Sequence, residues 1–314
     1  MNETRRALLD ALADGPIEGP ALADRLDVSR AAVWKQVEAL REAGFGIESG
    51  DDGYRVVEIP EYGAEAIAFG LEAPYRIEYH DQIGSTNDRA RELAETGEAD
   101  LVVVADEQTG SRGRLGREWI GPSGGVWASL LLRPERPPAE IPVYALAAAV
   151  AVARAAREAG AEAVIKWPND VLLAGEEPTQ RKLAGILTEM EGEADRVSWL
   201  VVGIGVNANV DAGALPDGAT SLREATGDVD RRVFLQRLLE TFHDLTGGDT
   251  DLHAILDEWR ALAATLGQRV RVETPGETIV GEAIDVQFPG SLVVRTDDDE
   301  RVVHTGDCEH LRPV

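Results

Sequence analysis

One cysteine, Cys308, is all that the 314-residue chain contains, and this excludes an intrachain disulfide framework and any multi-cysteine metal site. Lysine is nearly as scarce: Lys35, Lys166 and Lys182 are the only three among 31 basic residues. No uninterrupted run of about 18 apolar residues occurs, which argues against a membrane-spanning segment and a membrane partner. The opening MNETRRALLD turns polar and acidic after its arginines, so a secretory signal is not expected. Positive charge is lacking overall, since 31 basic against 57 acidic side chains leave a formal net charge of −26. Acid surplus with arginine replacing lysine points to adaptation to high intracellular salt, where hydrated carboxylates keep a screened surface soluble. Coding bias in a generic acidic protein is the alternative. The charge argues against non-specific nucleic-acid binding but leaves room for a local DNA site. A soluble, cytoplasmic protein of two or three domains is expected.

The fold class read from what is present is α+β, in three blocks. In residues 1–58, Ala7, Leu8, Ala11 and Leu12 recur at helical spacing before Gly15-Pro16, and Ala21, Leu22 and Leu26 fit a short second helix. Ser29 is the N-cap candidate of a third helix with Val33, Val37 and Leu40 on its apolar face. Residues 47–57 read as a β-hairpin around Asp51-Asp52-Gly53. That order is similar to a winged helix-turn-helix module, with Ser29, Arg30, Trp34 and Lys35 near the start of the helix that would enter the major groove. The block carries seven basic against twelve acidic residues from 2 to 58, which opposes phosphate binding. A fold-only role, as a relic or a dimer contact, is the alternative.

Residues 59–75, rich in Pro60, Gly63, Gly70 and Pro74, read as a joint. From 76 to 266 strands and helices alternate, as in a mixed sheet packed against helices. Strands are expected at 76–80, 101–105, 126–132, 163–166, 183–190 and 199–206, and helices at 87–96, 143–159, 230–245 and 251–266. Residues 267–314 hold short strands between Pro275-Gly276, Pro289-Gly290 and an acidic turn at 297–300, the spacing of a small β-barrel.

The central block carries the chemistry. In VVVADEQTGSRGRLGREW, Gly110, Gly113 and Gly116 alternate with Arg112, Arg114 and Arg117. Glycines let successive N–H groups turn toward an anion, and arginines add planar, permanent cations suited to phosphate. An RNA-binding or flexible surface turn fits the same composition. Mutual repulsion of the arginines suggests a loop that orders only over an anionic ligand. Downstream, VIKWPNDVLL ends a strand in Lys166 and offers Asn169 and Asp170, a pair that positions a ribose, a metal or an amine, or forms a plain Asx turn. KLAGIL follows at 182–187. A chain that otherwise uses arginine places two of its three lysines in these motifs, which hints at a task for a compact ammonium. GIGVN at 203–207 supplies Gly203, Gly205 and Asn207 without the context of a dinucleotide fold.

SerThrAsn at 85–87, the GSRGRLGREW loop, KWPND, KLAGIL and GIGVN, in this order, closely resemble the biotin protein ligase family. A winged helix in front and a final barrel ending GDCEHLR resemble its bifunctional branch, both ligase and transcriptional repressor. The resemblance implies a class II synthetase-like catalytic domain and an SH3-like C-terminal barrel. It implies biotin, ATP and Mg²⁺ as reactants and cofactor, a biotin carboxyl carrier domain as acceptor, operator DNA and a homodimer as partners. By the family's pattern Ser85, Thr86, Asn87, Gln108, Arg112, Gly113, Arg114, Lys182, Gly203 and Gly205 hold biotin. Arg112, Arg114, Arg117, Trp119, Asn169, Asp170, Lys182 and Asn207 face the nucleotide, and Lys182, Arg114 and Asp170 carry catalysis. The sequence departs from the family's Gly-Arg-Gly-Arg loop at Ser111. Were that position to need φ > 0, serine would cost roughly 1 kcal/mol. A non-catalytic biotin-sensing repressor and a lipoate-type ligase are the competing readings.

Overall fold

The structure, a computed structural model, describes residues 3–117, 119–174, 180–193, 195–248 and 250–311. Local signals account for its first block. Helices α1 (Glu3–Ala13), α2 (Gly19–Arg25) and α3 (Arg30–Glu42) pool Leu8, Leu22, Val33, Val37 and Leu40 into one core. The Ser29 hydroxyl accepts the Ala32 N–H at 3.2 Å and so starts α3. Strands β1 (Gly46–Gly50) and β2 (Gly53–Glu58) form the wing, and Ile17 pairs with Tyr54 as a short third strand. A Cβ on Gly53 (φ +100) would collide with the Ile17 carbonyl, so that junction requires glycine. The winged helix-turn-helix expected of the first block is present.

Residues 59–75 are more than a joint. They contain α4 (Ala64–Ala68), whose Ala66, Ile67 and Ala68 are buried. The Arg5 guanidinium pairs with Glu65 at 2.8 Å, and Arg6 donates to the Leu71 and Tyr75 carbonyls at 3.2 and 3.1 Å. The winged domain is thereby docked on the central block.

That block holds β3 (Arg76–Ile83), α5 (Thr86–Glu95), β4 (Leu101–Gln108), β5 (Val126–Leu132), α6 (Pro142–Glu158), β6 (Ala163–Lys166), β7 (Asp170–Leu173), β8 (Arg181–Gly192), β9 (Val197–Val206), α7 (Leu222–Thr226), α8 (Arg231–Thr246) and α9 (Ala254–Leu262). Its strands order as β3-β4-β5-β9-β8-β7-β6, with β3 and β4 parallel and the other pairs antiparallel. The period of two sorts the strand side chains. Val102, Val104, Leu130 and Val202 join the main core that includes α6, whereas Leu101, Val103, Leu131 and Val201 meet Ala90 and Ala94 of α5 on the other face.

Three local expectations change. β7 was not foreseen, because Val171–Leu173 is too short an apolar run to read as a strand; it turns back on β6 to pair Lys166 with Asp170. α9 stops at Leu262 because the Ala264 N–H is taken by the Ile165 carbonyl at 2.8 Å. Residues Pro138–Glu158 form a helical stretch long and apolar enough to cross a bilayer, yet most of its apolar length is buried inside the protein. It is a core helix.

The C-terminal block is a five-stranded antiparallel sheet of β10 (Arg269–Glu273), β11 (Thr278–Gln287), β12 (Ser291–Arg295), β13 (Glu300–Val303) and β14 (Asp307–His310), in the order β13-β12-β11-β10-β14. It docks through Trp167, whose indole N–H donates to the Gly290 carbonyl at 2.9 Å.

At the opposite end, Arg231 at the start of α8 pairs with Asp106 of β4 at 2.6 Å and lies 4.3 Å over the Tyr62 ring. Burial pushes the Asp106 carboxyl up, but hydrogen bonds from Ser123 and Arg231 and the Arg231 charge outweigh it and hold the carboxyl below its usual range. A carboxylate with a depressed folded-state value contributes stability that is present above its unfolded value of about 3.9 and lost as pH falls through the folded one. Asp106→Asn is therefore expected to flatten the acid limb of the urea midpoint against pH below about 4. An acid limb identical to that of the parent protein contradicts this.

Candidate functional site

Cross-strand partners share a sheet face, so Trp127 and Ser129 of β5, Gly203 and Gly205 of β9, and Gly185 and Leu187 of β8 line up on the α5 side. Beyond the N-terminus of α5 this face is left open as the floor of a cavity of about 430 Å³. The absence of Cβ atoms makes the floor. A Cβ on Gly203 would fall on the Asn87 Oδ1 atom, and one on Gly205 would come within 2.9 Å of the Trp119 ring. Every central-block residue to which the resemblance gives a role lines this cavity except Asn207.

One end is neutral and built for hydrogen bonding. Ser85 caps α5 by accepting the Asp88 N–H at 3.3 Å. The Thr86 N–H donates to Gln108 Oε1 at 2.8 Å, which turns the Gln108 amide NH₂ to the other side. Buried Ser129 lies 2.8 Å from Thr86 Oγ1 and 2.6 Å from Asn87 Oδ1. Sequence reasoning passed over Ser129, although a lone serine inside the apolar run Val126–Leu132 was a usable signal.

The other end is cationic. The Lys182 ammonium pairs with Asp170 at 2.6 Å and sits 5.2 Å from the centre of the Trp119 ring. Asn169 donates to the Ile186 carbonyl at 2.7 Å, so its Oδ1 accepts from Arg114 at 3.1 Å. Arg114 also reaches the Gly306 carbonyl at 3.2 Å, Arg117 pairs with Asp307, and Arg112 pairs with Asp88 at 3.1 Å. The loop expected to order only over an anion thus has its arginines already held by carboxylates of α5 and β14. Lys166 and Lys182 line the same cavity, in keeping with the selective use of lysine. β10 and β14 add Arg271, Glu273, Asp307, Cys308 and Glu309 to the wall, none of which the sequence reading assigned. Burial pushes the Cys308 thiol up to about 11, so it stays protonated and poorly suited to nucleophilic or metal chemistry.

Two expectations are corrected. Asn207 turns away from the cavity: its amide donates to the Thr220 carbonyl at 2.9 Å and its backbone carbonyl accepts the Leu222 N–H, so it braces the loop after β9. Ser111 does not have a positive φ. Its hydroxyl donates to the Trp119 carbonyl at 2.7 Å, closing the base of the arginine loop with no backbone strain. Among the described residues no group of three or more His, Cys, Asp or Glu side chains could hold a metal ion.

On α3, Arg30, Trp34 and Lys35 are exposed, Trp34 at 57%. Neither Arg30 nor Lys35 is paired with a carboxylate among the described residues, while the wing tip opposite carries Glu48, Asp51 and Asp52.

Comparison with known proteins agrees with this architecture segment by segment. The biotin/lipoate A/B protein ligase family matches residues 79–207, an HTH domain matches 4–55, and the biotin protein ligase C terminal domain matches 265–311. The bifunctional ligase/repressor BirA of Bacillus subtilis is 38% identical over 311 residues, covering 93% of each chain. Its Escherichia coli namesake is 30% identical and covers 92% of each. The solved structure of the biotin protein ligase from Aquifex aeolicus in complex with biotin and ATP superposes with a TM-score of 0.62 at 27% identity, covering 76% of this chain and 99% of that one. The chain, with its helix-turn-helix, mixed-sheet and C-terminal blocks in that order, belongs to the biotin protein ligase family and to its bifunctional ligase/repressor branch.

Proposed function

We propose that the protein is an ATP-dependent biotin protein ligase that also represses transcription. The observation that carries this reading is a single cavity with a neutral hydrogen-bonding end and a cationic end, the two polarities of a biotinyl adenylate. A biotin carboxylate oxygen attacks the α-phosphorus of ATP, the bond to the bridging oxygen breaks, and pyrophosphate leaves. Attack of one anion on another is opposed mainly by charge. Lys182, Arg112, Arg114 and Arg117 neutralise the phosphates, and Mg²⁺ enters with the nucleotide as Mg·ATP. Ser85, Thr86, Asn87 and Gln108 meet the ureido head, over the floor made by Gly203 and Gly205, while Gly113 lets the loop backbone approach the ligand. Asn169 and Trp119 face the nucleotide. In the second step the amine of an acceptor lysine attacks the mixed anhydride and AMP leaves. Asp170 accepts that lysine's proton once its pairing with Lys182 has shifted to the phosphate.

The neutral end supports biotin over lipoate, because a ureido ring needs the polar partners that Gln108 and Ser85 supply, whereas a dithiolane needs an apolar slot. The cationic end supports catalysis over sensing alone. For repression, the cations Arg30 and Lys35, which pair with no carboxylate among the described residues, and the exposed Trp34 on α3 support a DNA contact made by that helix, which Ser29 caps. The acceptor is a biotin carboxyl carrier domain, and the enzyme works as a cytoplasmic protein that pairs as a homodimer through the open stretch of β8 beyond β7. The C-terminal sheet is SH3-like, and the acidic surface is an adaptation to salt.

In high-salt buffer with Mg·ATP, pyrophosphate release should depend on biotin and not on lipoate. Lys182→Ala should lower the rate about 10²–10³-fold, the usual effect of removing one donor to developing charge. Biotin-independent release would contradict the biotin ligase reading, and no release with either acid, from folded protein that binds biotin, would leave the sensor-repressor reading in its place. Asp170→Asn should slow single-turnover transfer from preformed biotinyl-5′-AMP, and an unchanged transfer rate removes Asp170 from the second step. On DNA selected by the protein from a random pool, Lys35→Ala should reduce the slope of log affinity against log salt by about one. An unchanged slope shows that Lys35 makes no phosphate contact.

A further inference from the structure

We infer that Glu189, on β8, is a positioning residue for the biotin head: it fixes the direction of the Asn87 amide so that the carbonyl oxygen, and not the NH₂, is presented on the cavity floor. The inference rests on the proposed reading of the cavity as a biotin site.

Asn87 is nine-tenths buried, and an amide can present either an acceptor or a donor at any one place. Two groups decide which. The Glu189 carboxylate, which when ionised can only accept, takes an Asn87 Nδ2–H at 2.8 Å, and the Leu187 carbonyl, also only an acceptor, lies 3.5 Å from the same nitrogen. The oxygen is thereby forced to the opposite side, where Ser129 lies 2.6 Å away and where position 203 has no Cβ to block it. Ser129 has one proton, and Asn87 Oδ1 and Thr86 Oγ1 both lie within its reach. A reversed Asn87 would withdraw one of those acceptors and present a second N–H. The far side of the ring is set independently, since the Thr86 backbone N–H turns the Gln108 NH₂ away from itself.

The cavity head then offers donors from Gln108 on one side and an acceptor at Asn87 Oδ1 on the other. This is the complement of a cyclic urea, whose carbonyl accepts and whose ring nitrogens donate. Glu189 stands outside that head, in a smaller neighbouring recess that also contains Arg91 and Asp88. It acts through Asn87.

Glu189→Gln keeps the shape but lets position 189 donate as well as accept, so Asn87 is free to reverse. The expected result is a biotin KM raised roughly tenfold, about the effect of one misdirected hydrogen bond, with kcat at saturating biotin, the ATP KM and the thermal midpoint little changed. A merely structural residue would move the midpoint and both KM values together. The reciprocal variant Asn87→Asp/Glu189→Gln places the acceptor-only group at 87 and an amide donor at 189. It should recover most of the loss in biotin affinity measured by calorimetry. A Glu189→Gln protein with the parent biotin KM overturns the inference, and so does a folded double variant no better than the single one. If the parent protein itself fails to bind biotin, the ligase reading falls along with it, an outcome separate from either of those.

Discussion

The pairing of the cavity's cations with carboxylates of the same chain is the interaction on which site and domain arrangement both depend. Lys182 is held by Asp170 of β7, Arg112 by Asp88 of α5, Arg117 by Asp307 of β14, and Arg271 by Glu309 of β14. The partners are partly exposed, 35% and 24% for the first pair, and such pairs contribute only about 0–1 kcal/mol to stability. Their consequence is geometric. They draw the arginine loop, α5 and the C-terminal sheet around one space, and under the proposed function phosphate oxygens would take the carboxylates' places at Lys182, Arg112 and Arg117.

The C-terminal block is therefore part of the site. It contributes Asp307 to the arginine loop, a carbonyl at Gly306 to Arg114, and the Gly290 carbonyl that anchors Trp167 in the motif carrying Asn169 and Asp170. The winged domain is attached at the other side, through Arg5 and Arg6 on the packed segment around α4. The C-terminal sheet and the winged domain thus meet the central block through separate sets of contacts.

Much of this was legible from residue types at fixed spacing. Ser29 announced a helix start because a hydroxyl there satisfies an otherwise unpaired N–H, whereas the same role of Ser85 at α5 was not read, and the rarity of lysine drew attention to Lys166 and Lys182, which both line the cavity. What was not legible depended on partners distant in sequence. Glu189 reads as an ordinary exposed strand residue until β8 sets it beside Asn87, and Asp307 reads as one more acidic residue until the C-terminal sheet brings it to Arg117. Asn207 misled because asparagine at a glycine-rich strand end is as well suited to bracing a loop as to meeting a ligand. The cost considered at Ser111 depended on a positive φ suggested by the family's usual glycine there, and the backbone does not have one. β7 was hidden by brevity.

The central claim is that these cations await phosphate, and equilibrium binding tests it without turnover. Calorimetric titration of the wild-type protein and Lys182→Ala with biotin and with a non-hydrolysable biotinyl-5′-AMP analogue separates the two ends of the cavity. The account predicts that the adenylate analogue binds wild type far more tightly than biotin does, and that much of this advantage disappears in Lys182→Ala while affinity for biotin falls less. Equal affinity of wild type for both ligands would contradict it.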